Sequence, residues 1–330
     1  MSFNPGAADR VTEIPTLGSY PDETRTLNVA AKLNWRLNEA NDLAFTFLSA
    51  SSSQTAVGNP LEGDNNVPVP TEISSAECYL SDANSTPLVF SLEGFHWVGD
   101  NLFLESSASW HQQVDEQVPS SDAGLSEPFF ADFSTSTWSG GYPFSVRNDF
   151  TTVDLGIKGT VVADRHTWKA GLDFRQRKGA QTGGYSILLR TPDGSQYLWY
   201  YGDDPEADDK STNRIFSAFA QDTWRLTERL RLNLGLRWDG QRILDSNGEV
   251  GLSILDQWQP RMGFTYQVGP LGVRKFFGNY GRFYQEVGSP VANYFVPGGN
   301  SVFAVYDQDP RVDPSDPIFL DEQTGAIGDP

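Results

Sequence analysis

The sequence predicts an antiparallel transmembrane β-barrel, more narrowly a part of one. Three observations carry that expectation. Apolar and polar residues alternate at period 2 through five hairpins with tight turns. Long polar excursions separate the hairpins, so short and long connections alternate, as periplasmic turns and extracellular loops do in outer-membrane barrels. Most of the alternating runs approach the roughly 9–11 residues that a tilted strand needs to cross the hydrocarbon layer, against about 5–6 for a soluble strand.

The hairpins fall near residues 26–50, 87–111, 150–177, 214–241 and 258–285, all within one barrel domain. In the first, Leu27, Val29, Ala31, Leu33, Trp35 and Leu37 alternate with Asn28, Lys32, Asn34 and Arg36 before a turn at 38–41. The second is less regular. Leu88, Phe90 and Leu92 change phase to Phe95 and Trp97 across Glu93, which predicts a bulge or a strand end beyond the membrane. In the third, Val153, Leu155, Ile157 and Val161 lead through Ala163-Asp164-Arg165 to Trp168, Ala170, Leu172 and Phe174. The fourth has the cleanest strand: Leu230, Leu232, Leu234, Leu236 and Trp238 on one face, Arg231, Asn233, Gly235, Arg237 and Asp239 on the other. The fifth sets Trp258, Met262, Phe264 and Tyr266 against Gln259, Arg261 and Gln267. Tryptophans cluster near strand ends, where an amphipathic ring suits the headgroup level. The excursions cover 51–86, 115–149, 178–213, 242–256 and 286–330, with a small hairpin expected at 185–190 and 196–201.

Composition sets limits around this picture. The 330 residues are 38% hydrophobic and 20% charged, too apolar for a disordered chain and too polar for a helical membrane protein. No apolar run reaches the length of a membrane helix. A net charge of −19 repels nucleic acid. Cys78 is the only cysteine, so no internal disulfide is expected. Residues 1–20 lack a basic start followed by an apolar run, so no secretory signal is expected, and the chain reads as an internal piece of a longer protein.

The polar face implies a wide barrel, because Lys158, Arg231, Arg237, Asp239 and Arg261 on the lumen side need water or a polar filling.

The run Phe216-Ser-Ala-Phe-Ala-Gln221-Asp222-Thr-Trp224-Arg225-Leu226-Thr227, followed by Leu230-Arg-Leu-Asn-Leu-Gly235-Leu-Arg237-Trp-Asp239, resembles TonB-dependent outer-membrane receptors, in particular the Oar-like group with a carboxypeptidase-regulatory-like domain. Gln259-Pro260-Arg261-Met262-Gly263-Phe264, Gly278-Asn279-Tyr280-Gly281-Arg282-Phe283-Tyr284 and Gly171-Leu172-Asp173-Phe174-Arg175 agree with it. The likeness is good over 149–287 and weaker before. It implies a barrel of about 22 strands closed by a plug, energy-coupled uptake of a ligand, and a TonB-type coupling protein as partner. Neither a plug domain nor a coupling box is seen, and about ten spanning strands are expected.

No enzyme signature is present. His96, His111 and His166 are scattered, and no nucleophile elbow, phosphate loop or dinucleotide pattern occurs. No cofactor is expected. Acidic clusters offer weak oxygen ligands for a hard cation at Asp203, Asp204, Asp208, Asp307 and Asp309, against the plainer reading of solvated charge. Trp138, Tyr142, Trp199, Tyr200 and Tyr201 fall in expected outer loops, where rings can stack on a ligand or pack the loops. Three readings stay open on the residues alone: a transporter barrel segment, a non-transporting adhesion or interaction barrel, and a secreted β-sandwich that binds carbohydrate.

Overall fold

A computed structural model describes residues 2–14, 16–59, 61, 70–270, 272–288 and 298–325, with the side chains of 2–5, 8–9, 203–209, 298–301 and 322–325 outside that description. The strands are β1 (Ser2–Ile14), β2 (Gly18–Asn38), β3 (Asn41–Val57), β4 (Glu72–Ile73), β5 (Ser81–Val98), β6 (Leu102–Pro119), β7 (Phe129–Asp132), β8 (Thr137–Gly140), β9 (Phe144–Ala163) and β10 (His166–Arg190). They continue as β11 (Tyr197–Arg225), β12 (Leu230–Leu244), β13 (Val250–Val268), β14 (Arg274–Gly281), β15 (Gly298–Tyr306) and β16 (Phe319–Gly325). A short α-helix, α1 (Asp122–Ser126), is capped by the Ser121 hydroxyl accepting from Gly124 N, and a 3-10 turn covers Ala76–Cys78. No helix among the described residues is long and apolar enough to cross a membrane, which says nothing about strands.

The wall is an antiparallel meander in the order β1-β2-β3-β5-β6-β9-β10-β11-β12-β13-β14. Among the described residues it does not close on itself, and β1 and β14 end the path. Turns at one end are tight. Asp164, for example, takes φ 49° in the two-residue link from β9 to β10, a left-handed position that aspartate tolerates.

Pairing is in register across the apolar rows. Leu172 lies opposite Ile157 and Ala218, and Leu234 opposite Asp222 and Met262. Those rows stand open to the outside: Leu33 is 63% exposed, Leu172 61% and Met262 51%. Water would oppose so large a contiguous apolar band, whereas lipid satisfies it.

The sheet differs from the expectation in four places. Residues 2–14, with Pro5 and Gly6 and no clean alternation, form a strand through thirteen pairings with β2, making eleven wall strands rather than about ten. No bulge occurs near Glu93. The β5–β6 ladder runs unbroken from Ser81↔Pro119 to Val98↔Leu102, and the phase change moves the apolar side chains to the other face. There Phe95, Trp97 and Phe103 form an aromatic cluster at the tight-turn end.

The 242–256 excursion is mostly strand, with only 245–249 as a turn. The expected hairpin at 185–190 and 196–201 is the tip of the β10–β11 hairpin, which continues past an irregularity at Gln181/Gly183. Above a membrane both faces of a ladder meet water, so pairing there leaves no hydrophobic period in the sequence.

Candidate functional site

Two regions gather chemistry: the polar face of the wall and the loops at its far end. On the polar face, strand register places Lys158, Arg231, Arg237, Asp239 and Arg261 on one side of the sheet, opposite in phase to the leucine rows. Lys158 Nζ meets Glu105 Oε1 at 2.9 Å. Arg237 reaches Asp239 at 2.9 Å and Asp173 at 3.5 Å, and Gln259 also donates to Asp239. Arg261 donates to Gln259 Oε1 at 3.3 Å and lies over the Phe283 ring, 4.7 Å from its centre. Arg231 sits opposite Arg225 and Thr265, toward the tight turns. Pairs this exposed contribute little stability each. Their effect is to hold an ordered, hydrogen-bonding surface.

Sequence periodicity gave no hint of what covers that surface. After β14 the chain turns back across the polar face. Arg175, paired to Asp154 at 2.5 Å, also reaches Glu286 at 3.4 Å. Gln241, only 2% exposed, holds the backbone of Val287 from both sides. A cavity of about 650 Å³ lies beneath, lined by Asp173, Arg237, Asp239, Gln257 and Tyr284 among others.

At the far end, residues 70–80 and 120–143 pack into a core of their own. Ile73, Cys78, Phe129, Ala131 and Trp138 are fully or almost fully buried, and the Trp138 ring meets Phe129 edge-on at 5.2 Å. Strands β7 and β8 pair with each other, β4 adds beside β8, and β7 runs parallel to the tip of β10. Thr16 anchors the core to the β1–β2 turn by exchanging hydrogen bonds with Ile73, each 3.0 Å.

Burial pushes the Cys78 thiol up to about 12. For Asp132, burial is the largest single influence and raises its pKa. The hydrogen bonds from Ser134 and the Arg190 guanidinium together outweigh it, and hold the carboxyl below its usual range.

The five aromatic candidates separate here. Trp138 is 0% exposed and packed inside the loops, whereas Tyr142, 4% exposed, contributes to the wall of the cleft that holds Trp199 and Tyr201. Trp138 Nε1 has no hydrogen-bond partner among the described residues, while the Tyr142 hydroxyl accepts from Gln117 at 2.9 Å. Trp199 and Tyr201 line a cleft of about 630 Å³ with Tyr185, Leu125 and Glu127. The indole of Trp199 donates to Ser186 at 3.1 Å, and its ring lies 5.1 Å from that of Tyr201. Gly183, at the rim of this cleft, lets β9 approach β10 closely. It adopts φ +128°, and a Cβ there would strike Ser145 O at 2.0 Å. Tyr200 points elsewhere, stacking on Phe303 at 4.6 Å where β15 pairs with β11.

The acidic candidates gather no cation site among the described residues. Asp309 is committed to Arg311 (2.6 and 2.9 Å), whose hydrogen bonds hold its carboxyl below the usual range. Asp307 is exposed. The side chains of Asp203, Asp204 and Asp208 lie outside the described residues.

A family model described as TonB dependent receptor-like, beta-barrel, matches residues 2–316. The chain belongs to that family. Among curated proteins it is similar to the TonB-dependent transporter Oar of Myxococcus xanthus, 24% identical over 351 residues that cover 86% of this chain. It spans about a third of that relative's length (33%).

Its fold is similar to the outer membrane transporter YddB of Escherichia coli (TM-score 0.60, 8% identity, 92% of this chain and 41% of that one). It is also similar to the ferripyoverdine receptor of Pseudomonas aeruginosa (TM-score 0.55, 12% identity, 92% and 44%). The copper transporter OprC shares the fold as well (TM-score 0.53, 15% identity, 93% and 46%). This TonB-dependent receptor barrel is accordingly an outer-membrane protein, and its apolar rows are the lipid face of a partial wall. Its polar rows are therefore on the lumen side, and the soluble β-sandwich reading is set aside.

Proposed function

We propose that this chain supplies wall and outer loops to an energy-coupled importer of the outer membrane. Ligand is captured first at the loop end by the Trp199–Tyr201 cleft and the neighbouring Tyr200 surface, then passed to a lumen that a plug fills. The lumen-side row of Lys158, Arg231, Arg237, Asp239 and Arg261 provides the polar surface against which a plug seats, and a TonB-type protein supplies the energy. The observation that carries this reading is the ordered aromatic cleft at the end of the wall opposite the tight turns. An aromatic surface with a few polar groups binds solutes in a defined orientation.

The test is comparative depletion of a defined medium by cells carrying the full-length gene, a deletion, a coupling-defective strain, or the Trp199→Ala/Tyr201→Ala double variant. A set of compounds removed only by coupled wild-type cells, and removed more slowly by the double variant at equal surface abundance, is expected. Equal depletion by all strains, with loss of cell attachment in the deletion, would transfer the chain to the adhesion class.

A further inference from the structure

One motif lies apart from the loop-end cleft: Gln221-Asp222-Thr223-Trp224 on β11. Strand alternation sends Gln221 to the lumen side and Asp222 to the lipid side, directly opposite Trp168 on β10 and Leu234 on β12. Asp222 is the one carboxylate among the described residues of the lipid-facing rows between the two ends of the wall. Its Oδ2 meets His166 Nδ1 at 2.6 Å, and the His166 ring is stacked between Trp168 and Trp224, 5.3 Å from each. Its Oδ1 is sealed off and has no hydrogen-bond partner among the described residues. A carboxylate oxygen left unpaired in this way is expensive, and the natural occupant is a cationic donor.

The next rung toward the membrane centre reads Leu104, Gly159, Ala170, Ala220, Leu236 across five strands. Its three small central residues make the floor of an outward trough of about 570 Å³ that extends to the rung of Ala218 and Trp238. From Asp222 to that rung is about 13 Å along the strand. The lining of the trough begins one rung from Asp222, at Ala170 and Ala220, so the carboxylate and the trough are neighbours along the same lipid-facing strands.

We infer that this trough is a site for one phospholipid bearing a primary-ammonium headgroup, its ammonium donating to Asp222 Oδ1 and an acyl chain lying over Gly159, Ala170 and Ala220. The occupant follows from place and charge. The site faces lipid, near the tight-turn end where headgroups lie. Carboxylate and indole faces both favour a cation over a phosphate. The half-exposed Trp168 ring opposite Asp222 swings aside to admit the headgroup. The inference rests on the barrel's orientation in the membrane and not on transport.

Native mass spectrometry of the full-length protein is the test, with added phosphatidylethanolamine, phosphatidylcholine or phosphatidylglycerol of matched chains. Phosphatidylethanolamine should be retained about ten-fold over the other two, a difference of the size expected for a desolvated cation–π contact plus a charged hydrogen bond. Asp222→Asn should abolish the preference. Ala220→Leu, at an exposed position that leaves the wall packing alone, should reduce retention of all three lipids. Equal retention of the three lipids, a preference for phosphatidylglycerol, or a preference unchanged in both variants would overturn the assignment.

Discussion

The side-chain amide of Gln241 mimics a strand partner for Val287: Oε1 accepts from Val287 N at 3.0 Å, and Nε2 donates to Val287 O at 2.9 Å. Asn213 adds a longer donation to the same carbonyl at 3.4 Å. One buried glutamine on β12 thus ties a non-strand segment across the lumen side of the wall.

Gln241→Leu removes both hydrogen bonds while keeping the bulk, and leaves two backbone groups at about 1–3 kcal/mol each if they stay buried. Hydrogen exchange of peptides covering 282–288 should accelerate about ten-fold or more, with β10–β12 peptides unchanged. Unchanged exchange in 282–288 would mean that Glu286 and the ring contacts hold the segment without Gln241.

Trp138→Ala should open the outer loops without unfolding the wall. A buried tryptophan truncation is worth about 3–5 kcal/mol, and here it falls on the small loop core rather than on the sheet. Limited proteolysis should cut within 120–143 while the heat-modifiable, folded band on gels persists. Loss of that band would tie the loop core to barrel folding.

Cys78 should resist labelling. It is buried, and desolvation raises its pKa to about 12, so thiolate is scarce at any ordinary pH. A maleimide at pH 8 should modify the full-length folded protein at well under one thiol in ten, and the denatured protein fully. A Trp138→Ala background should speed the reaction, since the two residues share one core.

The wall was readable because lipid on one side and a polar lumen on the other impose a strict period of two. Leu230 to Trp238 carries that signal in nine residues. It fades where the membrane ends. The tip of β10–β11 and the β12–β13 turn read as loops because both faces of those ladders are solvated. Burial of Trp138 and Tyr142 depends on contacts between loops some 60 residues apart in sequence, such as Ser74 N to Trp138 O at 2.9 Å, which no local pattern records. Gln241 was equally invisible. It continues the polar phase of β12 like any lumen residue, and only the returning chain gives it a partner.

A charge at the lipid face should separate the two sides of β12. Leu236→Arg, one rung further into the membrane than the Asp222–Leu234 pair, is expected to destabilise the inserted barrel by about 2–4 kcal/mol, the penalty for arginine near the bilayer midplane, whereas Asn233→Arg should change little. Urea-driven unfolding of the full-length protein from lipid vesicles reads the difference directly. Equal losses would mean that the two faces meet the same medium.

The most direct measurement is a nitroxide scan of residues 230–238 in the full-length protein, reconstituted in bilayers with Cys78 replaced by serine. Collision with oxygen, which partitions into lipid, should peak at positions 230, 232, 234, 236 and 238. Collision with a water-soluble nickel complex should peak, if anywhere, at the odd positions. Two curves oscillating out of phase with period 2 are the expected result. Oxygen and nickel access rising and falling together, or low access along the whole leucine row, would contradict a membrane-spanning wall and make that row the core of a soluble sheet.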